Sequence, residues 1–170
     1  QNLLSQYRNL LHHHVHQTGA REASTFWAGC GAVRREIFLA VGGFDEHYRQ
    51  SSIEDIELGY RLKAAGYRIV LNRDLQGCHL KRWDVRSLIL TDVFRRALPW
   101  TQLTMRVGMI NDLNLNVSSR ASAVASWLLV GAVLGGVLWP PLWLTAACSL
   151  GTLIALNAGF YRFLRRHRGI

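Results

Sequence analysis

Apolar residues recur at helical spacing from the start of the chain. Leu3, Leu4, Tyr7, Leu10, Leu11 and Val15 predict an amphipathic helix over roughly residues 2–16, ended by Gln17-Thr18-Gly19. Thr25-Phe26-Trp27-Ala28 and Cys30-Gly31-Ala32-Val33 read as short buried strands interrupted by Gly29. Arg34 to Val41 predicts a short helix, and Gly42-Gly43 supplies the tight-turn geometry that stops it. A loop through Asp45 to Ser52 leads to a helix from about Glu54 to Ala65, ended by Gly66. Tyr67 to Leu71 alternates as a strand does, Asn72-Arg73-Asp74 is a turn, and Gly77 to Leu80 predicts a second short strand. Helix and strand alternate as in an α/β domain, with too few strands to close a sheet, so half of such a domain is expected to lie outside this sequence.

After Trp83 the pattern changes. Val85, Leu88, Ile89, Leu90, Val93, Phe94 and Ala97 form a wide apolar face carrying Arg86, Arg95 and Arg96, with Trp83 and Trp100 at its ends and Pro99 closing it. Snorkelling arginines and terminal tryptophans suit a membrane interface. Residues 106–120 read as a connector. From Ala121 to Tyr161 there are 41 residues without a charge. A bilayer core takes about 20 apolar residues per helix, so this length fits two spans and a turn. Pro140-Pro141 breaks the stretch at its midpoint, giving a hairpin of about 121–139 and 142–161. The expected organisation is an α/β half-domain (1–83), an interfacial segment and connector (84–120), the transmembrane hairpin (121–161) and a basic tail (162–170).

Charge sharpens this picture. The formal net charge of the 170 residues is +9, all 11 acidic residues precede residue 121, and Arg162, Arg165, Arg166 and Arg168 crowd the tail. Arginines flanking apolar spans mark the cytoplasmic side of a membrane, which places both hairpin ends there. No basic stripe with interleaved aromatics occurs away from the apolar spans, which argues against a nucleic-acid partner. Three widely spaced cysteines, Cys30, Cys78 and Cys148, give neither a disulfide framework nor zinc-ligand spacing. The chain opens at Gln1 without a signal-peptide pattern, which suggests a fragment.

The chemistry concentrates at Glu54-Asp55. Ser51-x-x-Glu54 is a capping-box pattern, so Glu54 has an ordinary structural use. Asp55 shares a helix face with Leu58 and Leu62 and so points toward a core or cleft, where an acid needs a partner or a task. His12-His13-His14-Val15-His16 puts His12 and His16 on one face, but with no carboxylate nearby in sequence a metal site there is poorly supported.

The order Gly42-Gly43-Phe44-Asp45-Glu46, Glu54-Asp55-x-x-Leu58-x-x-Arg61-Leu62, Gly66-Tyr67 and His79-x-x-Arg82-Trp83 resembles the C-terminal half of the catalytic domain of family-2 glycosyltransferases, which are inverting enzymes of the GT-A, Rossmann-like fold. The similarity runs from about Phe26 to Trp83. It implies that Asp55 is the general base that deprotonates an acceptor hydroxyl, while Glu54 caps the helix or positions it. His79-x-x-Arg82-Trp83 resembles the Gln-x-x-Arg-Trp motif of processive members, with His in place of Gln, and so implies Arg82 by the diphosphate and Trp83 by the acceptor sugar. His79 alternatively completes a metal shell. Gly43 and Asp45 border the acceptor side, Asp45 either touching the acceptor or forming an Asx turn, and Cys30 and Gly31 lie in the strand leading there.

The resemblance further implies a divalent metal, Mg²⁺ or Mn²⁺, held mostly by an Asp-x-Asp motif. No Asp-x-Asp occurs in these residues, so the donor site is expected upstream of Gln1 and the chain alone is expected to be inactive. The implied partners are a nucleotide-sugar donor, a lipid-linked or saccharide acceptor, and membrane lipids. The rival expectation is a non-catalytic membrane scaffold with a degenerate transferase domain, and the reading frame upstream of Gln1 separates the two.

Overall fold

The computed structural model describes residues 2–49, 52–108 and 116–168. The chain divides into two compact units, Gln1–Leu113 and Asn114–Ile170.

In the first unit the order is α1 (Leu3–Thr18), β1 (Glu22–Ala23), a 3₁₀ turn (Ala28–Cys30), α2 (Arg35–Ala40), α3 (Glu54–Ala64), β2 (Ile69–Val70), α4 (Val85–Ile89), a π-helical stretch (Leu90–Ala97) and α5 (Leu98–Val107). β1 and β2 pair antiparallel, Glu22 opposite Val70 and Ala23 opposite Ile69. The sheet is smaller than the sequence pattern suggested. The expected strands around Trp27 and Cys30 are replaced by the 3₁₀ turn, and residues 77–80 have no ladder partner. Side chains of α1 take the ladder's place. The Asn9 carboxamide accepts from His79 N–H (2.9 Å) and donates to His79 C=O (3.0 Å). Ser5 Oγ accepts from Trp83 N–H (2.9 Å), and Asn2 Nδ2 donates to Trp83 C=O (2.6 Å). This explains which face α1 buries: Ser5 and Arg8 are buried while Leu3 and Tyr7 are exposed, because the neighbouring backbone needs polar partners.

Two contacts fix α3. Ile53, Tyr60 and Leu103 form a buried cluster flanked by Tyr48, Ile56 and Trp100, and Trp100 Nε1 donates to Tyr60 Oη at 3.0 Å. At Gly59 an added Cβ would lie 2.5 Å from Phe26 N, so only glycine lets the Ser24–Phe26 backbone lie against α3. Pro99, expected to close the helix, instead occupies the first turn of α5, where its missing N–H is harmless. Trp83 and Trp100, expected at the ends of an exposed face, turn inward: Trp83 is buried and Trp100 is half-buried on Tyr60. Val85, Ile89, Leu90, Val93, Phe94 and Leu98 remain exposed, so the apolar face persists without its tryptophan ends.

The second unit is a helical hairpin, α6 (Val117–Gly136) and α7 (Leu142–Arg168). The Asn116 side chain caps α6 by accepting from Ser119 N–H at 2.8 Å, so the helix begins before Ala121. α7 continues through the arginine-rich tail to Arg168. Small residues bring the helices together. Ala125, Ala132 and Ala146 are buried, and an added Cβ on Gly135 would lie 2.6 Å from Leu142 Cδ1. Asn157 Nδ2 donates to Ser122 Oγ at 3.0 Å. Both helices are long and apolar enough to cross a membrane, with mean hydropathies of 1.5 and 1.4.

Candidate active site

The N-terminus of α3 sets the site. Glu54 Oε2 accepts from Ser52 N–H at 2.7 Å, tying the preceding loop to the helix. Ser51, the other half of the expected capping box, lies outside the described residues. Asp55 is half-buried against the 3₁₀ turn. Its Oδ1 accepts from Ile56 N–H at 2.8 Å and its Oδ2 from Ala28 N–H at 3.3 Å, the residue after Trp27. Burial pushes the Asp55 carboxyl above the usual aspartate value and Glu54 adds to this, while the two backbone donors and Arg96 pull the other way. Burial wins over the helix terminus, giving a carboxylate that is more basic than an exposed one.

A second corner lies beside it. The Arg8 guanidinium is 2.6 Å from Asp92 Oδ1 and sits over the Trp83 indole, 4.8 Å from the ring centroid. Lys81 Nζ also lies over that ring, at 4.1 Å. Arg8, Arg96, His12, His79, Trp27 and Trp83 line a void of about 30 Å³. Arg96 comes from the π stretch, a widened helical turn of the kind often found at functional sites. Burial, then Arg96 and Arg8, lower His12 to about 4, which leaves it neutral near pH 7. A larger groove of about 500 Å³, with Cys30, Gly31 and His79 on its walls, does not include Asp55.

The third feature is the glycine turn. Gly42 and Gly43 have φ of 86° and 68°, the left-handed region glycine favours. Arg61 fastens this turn to α3. Its Nε and Nη2 donate to the Glu57 carboxylate, both at 2.7 Å, while Nη1 donates to Val41 C=O and Nη2 to Gly43 C=O (2.6 Å). Asp45 Oδ1 accepts from His47 N–H at 3.0 Å, forming the Asx turn that was one of its two expected uses.

Sequence reasoning and geometry thus overlap in part. Trp83 and His79 border one void, and Arg96 on its wall is within electrostatic reach of Asp55, which neighbours Glu54. Arg82 is exposed beyond Trp83, and the 4% exposure of Trp83 leaves no open indole face for a sugar. Among the described residues no three His, Cys, Asp or Glu side chains come together to hold a metal ion, and His79 stands beside two arginines. Beside two arginines, His79 does not suit the metal-shell alternative. Arg8, Arg96 and the Glu57–Arg61 pair were missed. The i, i+4 spacing of Glu57 and Arg61 was a readable signal, whereas Arg8 and Arg96 are joined only by the fold.

Comparison with known proteins fits the motif order. A 64-residue stretch is 36% identical to the O-antigen biosynthesis protein RfbC of Myxococcus xanthus, covering 38% of this chain and 5% of that protein. A 57-residue stretch is 49% identical to the succinoglycan biosynthesis protein ExoA of Rhizobium meliloti (strain 1021), covering 32% of this chain and 16% of that protein. The matched stretches therefore span a small part of each relative's length. No solved structure matches. The family described as glycosyl transferase family group 2 matches residues 3–163, nearly the whole sequence, and the chain belongs to that family.

Proposed function

We propose that this chain is the acceptor-side, base-supplying portion of a membrane-anchored inverting glycosyltransferase of GT-A type. It would move a sugar from a nucleotide-sugar donor to a hydroxyl of a lipid-linked or saccharide acceptor in polysaccharide assembly. The observation that carries this reading is Asp55: half-buried, made more basic by burial, and facing the loop at Trp27–Cys30. In the step proposed, the acceptor hydroxyl gives its proton to Asp55 and the freed oxygen attacks the anomeric carbon. The bond to the nucleoside diphosphate breaks with its electron pair, and the configuration inverts. Glu54 holds the loop before α3 and so positions Asp55.

Family-2 enzymes generally use a divalent metal, whose chemistry is to offset the charge of the departing diphosphate. The two hairpin helices and the exposed apolar face from Val85 to Leu98 support membrane attachment, with the catalytic portion and both hairpin ends on the cytoplasmic side. The relatives' names, O-antigen and succinoglycan biosynthesis, support a polysaccharide product.

The test is transfer of labelled sugar by the full-length protein in proteoliposomes, from a panel of nucleotide sugars to an extracted lipid and glycan pool. The reading expects one inverted-anomer product and one nucleoside diphosphate released per sugar. Transfer with retained configuration, or none with any donor, would contradict it.

A further inference from the structure

The Arg8–Arg96 corner has more guanidinium hydrogen-bond donors than the protein around it uses. The Arg8 side chain is only 9% exposed, and it spends one nitrogen on Asp92. Its Nε is buried with no hydrogen-bond partner. A buried guanidinium donor left unmet costs free energy that folding does not recover by itself. Arg96 is half-buried and, among the described residues, its guanidinium donates no hydrogen bond. The groups facing this corner are Arg8, Arg96, Lys81, His12 and His79 on the cationic or imidazole side, with Asp92, Asp55 and Glu54 as acids. Asp92 is taken by Arg8, and Glu54 by the Ser52 amide. Burial lowers the basicity of His12 and Lys81, and Arg8 and Arg96 each add to that lowering, as cations gathered in one place do.

We propose that Arg8 and Arg96, with His12 beside them and the Trp27 and Trp83 indoles as walls, form a binding corner for a phosphoryl group. A guanidinium presents forked donors that match phosphate oxygens, and an unmet Nε plus an unbonded second guanidinium are what such a fork looks like before its ligand arrives. The void of about 30 Å³ is on the scale of phosphoryl oxygens and too small for a sugar ring. Arg96 lies within electrostatic reach of Asp55, the proposed base. The source is either the donor's diphosphate or the phosphate of a lipid-linked acceptor, and this choice rests on the glycosyltransferase reading. The corner itself does not.

The experiment is calorimetric titration of inorganic pyrophosphate into the full-length protein in nanodiscs, repeated with Arg96→Gln and Arg8→Lys. Arg96→Gln should weaken binding about 10- to 100-fold, the scale of one lost charge-assisted bond, at an unchanged melting temperature. Arg8→Lys, which keeps the charge and removes Nε, should weaken it several-fold. Unaltered affinity in Arg96→Gln, or no pyrophosphate binding by the wild type at millimolar concentration, would overturn the proposal. Displacement of pyrophosphate by uridine diphosphate assigns the corner to the donor, displacement by farnesyl phosphate to a lipid acceptor, and displacement by neither counts against it. Arg96-dependent binding in a protein that transfers no sugar would sink the transferase reading and leave the corner standing. Sugar transfer with an unchanged KM in Arg96→Gln would do the reverse.

Discussion

Two charged corners of the first unit treat their arginines differently. At Gly42-Gly43, Arg61 has both a carboxylate, Glu57, and two backbone carbonyls, so its donors are used within the fold. At the other corner Arg8 keeps a buried nitrogen unmet, and the Arg96 guanidinium has no hydrogen-bond partner among the described residues. The first arrangement is what a structural staple requires. The second leaves hydrogen-bonding capacity for a ligand, next to a carboxylate whose burial makes it more basic. Satisfaction of polar groups, more than the number of charges, separates the region that holds the fold from the region proposed to bind a ligand.

The contrast can be broken by substitution. Arg61→Ala strands the Glu57 carboxylate, 14% exposed, and two carbonyls, and should lower stability by about 2–3 kcal/mol in chemical denaturation. Gly59→Ala pushes a methyl against the Phe26 backbone and should cost about 1–3 kcal/mol, with Asp55 losing its place by the 3₁₀ turn. Arg96→Gln, by contrast, should change stability by no more than about 0.5 kcal/mol, because it breaks no hydrogen bond of the fold. Equal losses for Arg61→Ala and Arg96→Gln would erase the distinction between the corners.

The pH dependence sharpens it further. Asp55 binds its proton more tightly in the folded state than at the ordinary value of 3.8, so ionising it costs stability. Stability should therefore gain from Asp55 as pH falls through its raised folded value toward 3.8, while activity, which needs the ionised form, falls over the same range. The acid limb of kcat/KM should lie above 3.8, as a pH–rate profile will show.

Much of this was legible in the sequence where one helix or one span carries its own signal. α2, α3 and the hairpin follow from periodicity, the glycine stops and the uncharged stretch, and Asp55 from its place beside Leu58 and Leu62, both of which are buried. What was not legible depends on partners distant in the chain. α1 buries the Ser5–Arg8 stripe in preference to its leucines because the His79–Trp83 backbone, lacking a strand neighbour, takes side-chain partners from it. Trp83 is under two cations and so lost the exposed place its motif suggested. Pro99 continues a helix because the π stretch before it hands over at the one turn where a proline fits.

The most direct measurement is Asp55→Asn in the full-length protein, read by sugar transfer and by melting temperature together. A base held at the cost of burying its charge predicts transfer reduced by at least about 100-fold, with a melting temperature equal to or above that of the wild type. Transfer within a few-fold of wild type would remove Asp55 from the mechanism. A marked drop in melting temperature would show that the carboxylate serves the fold instead.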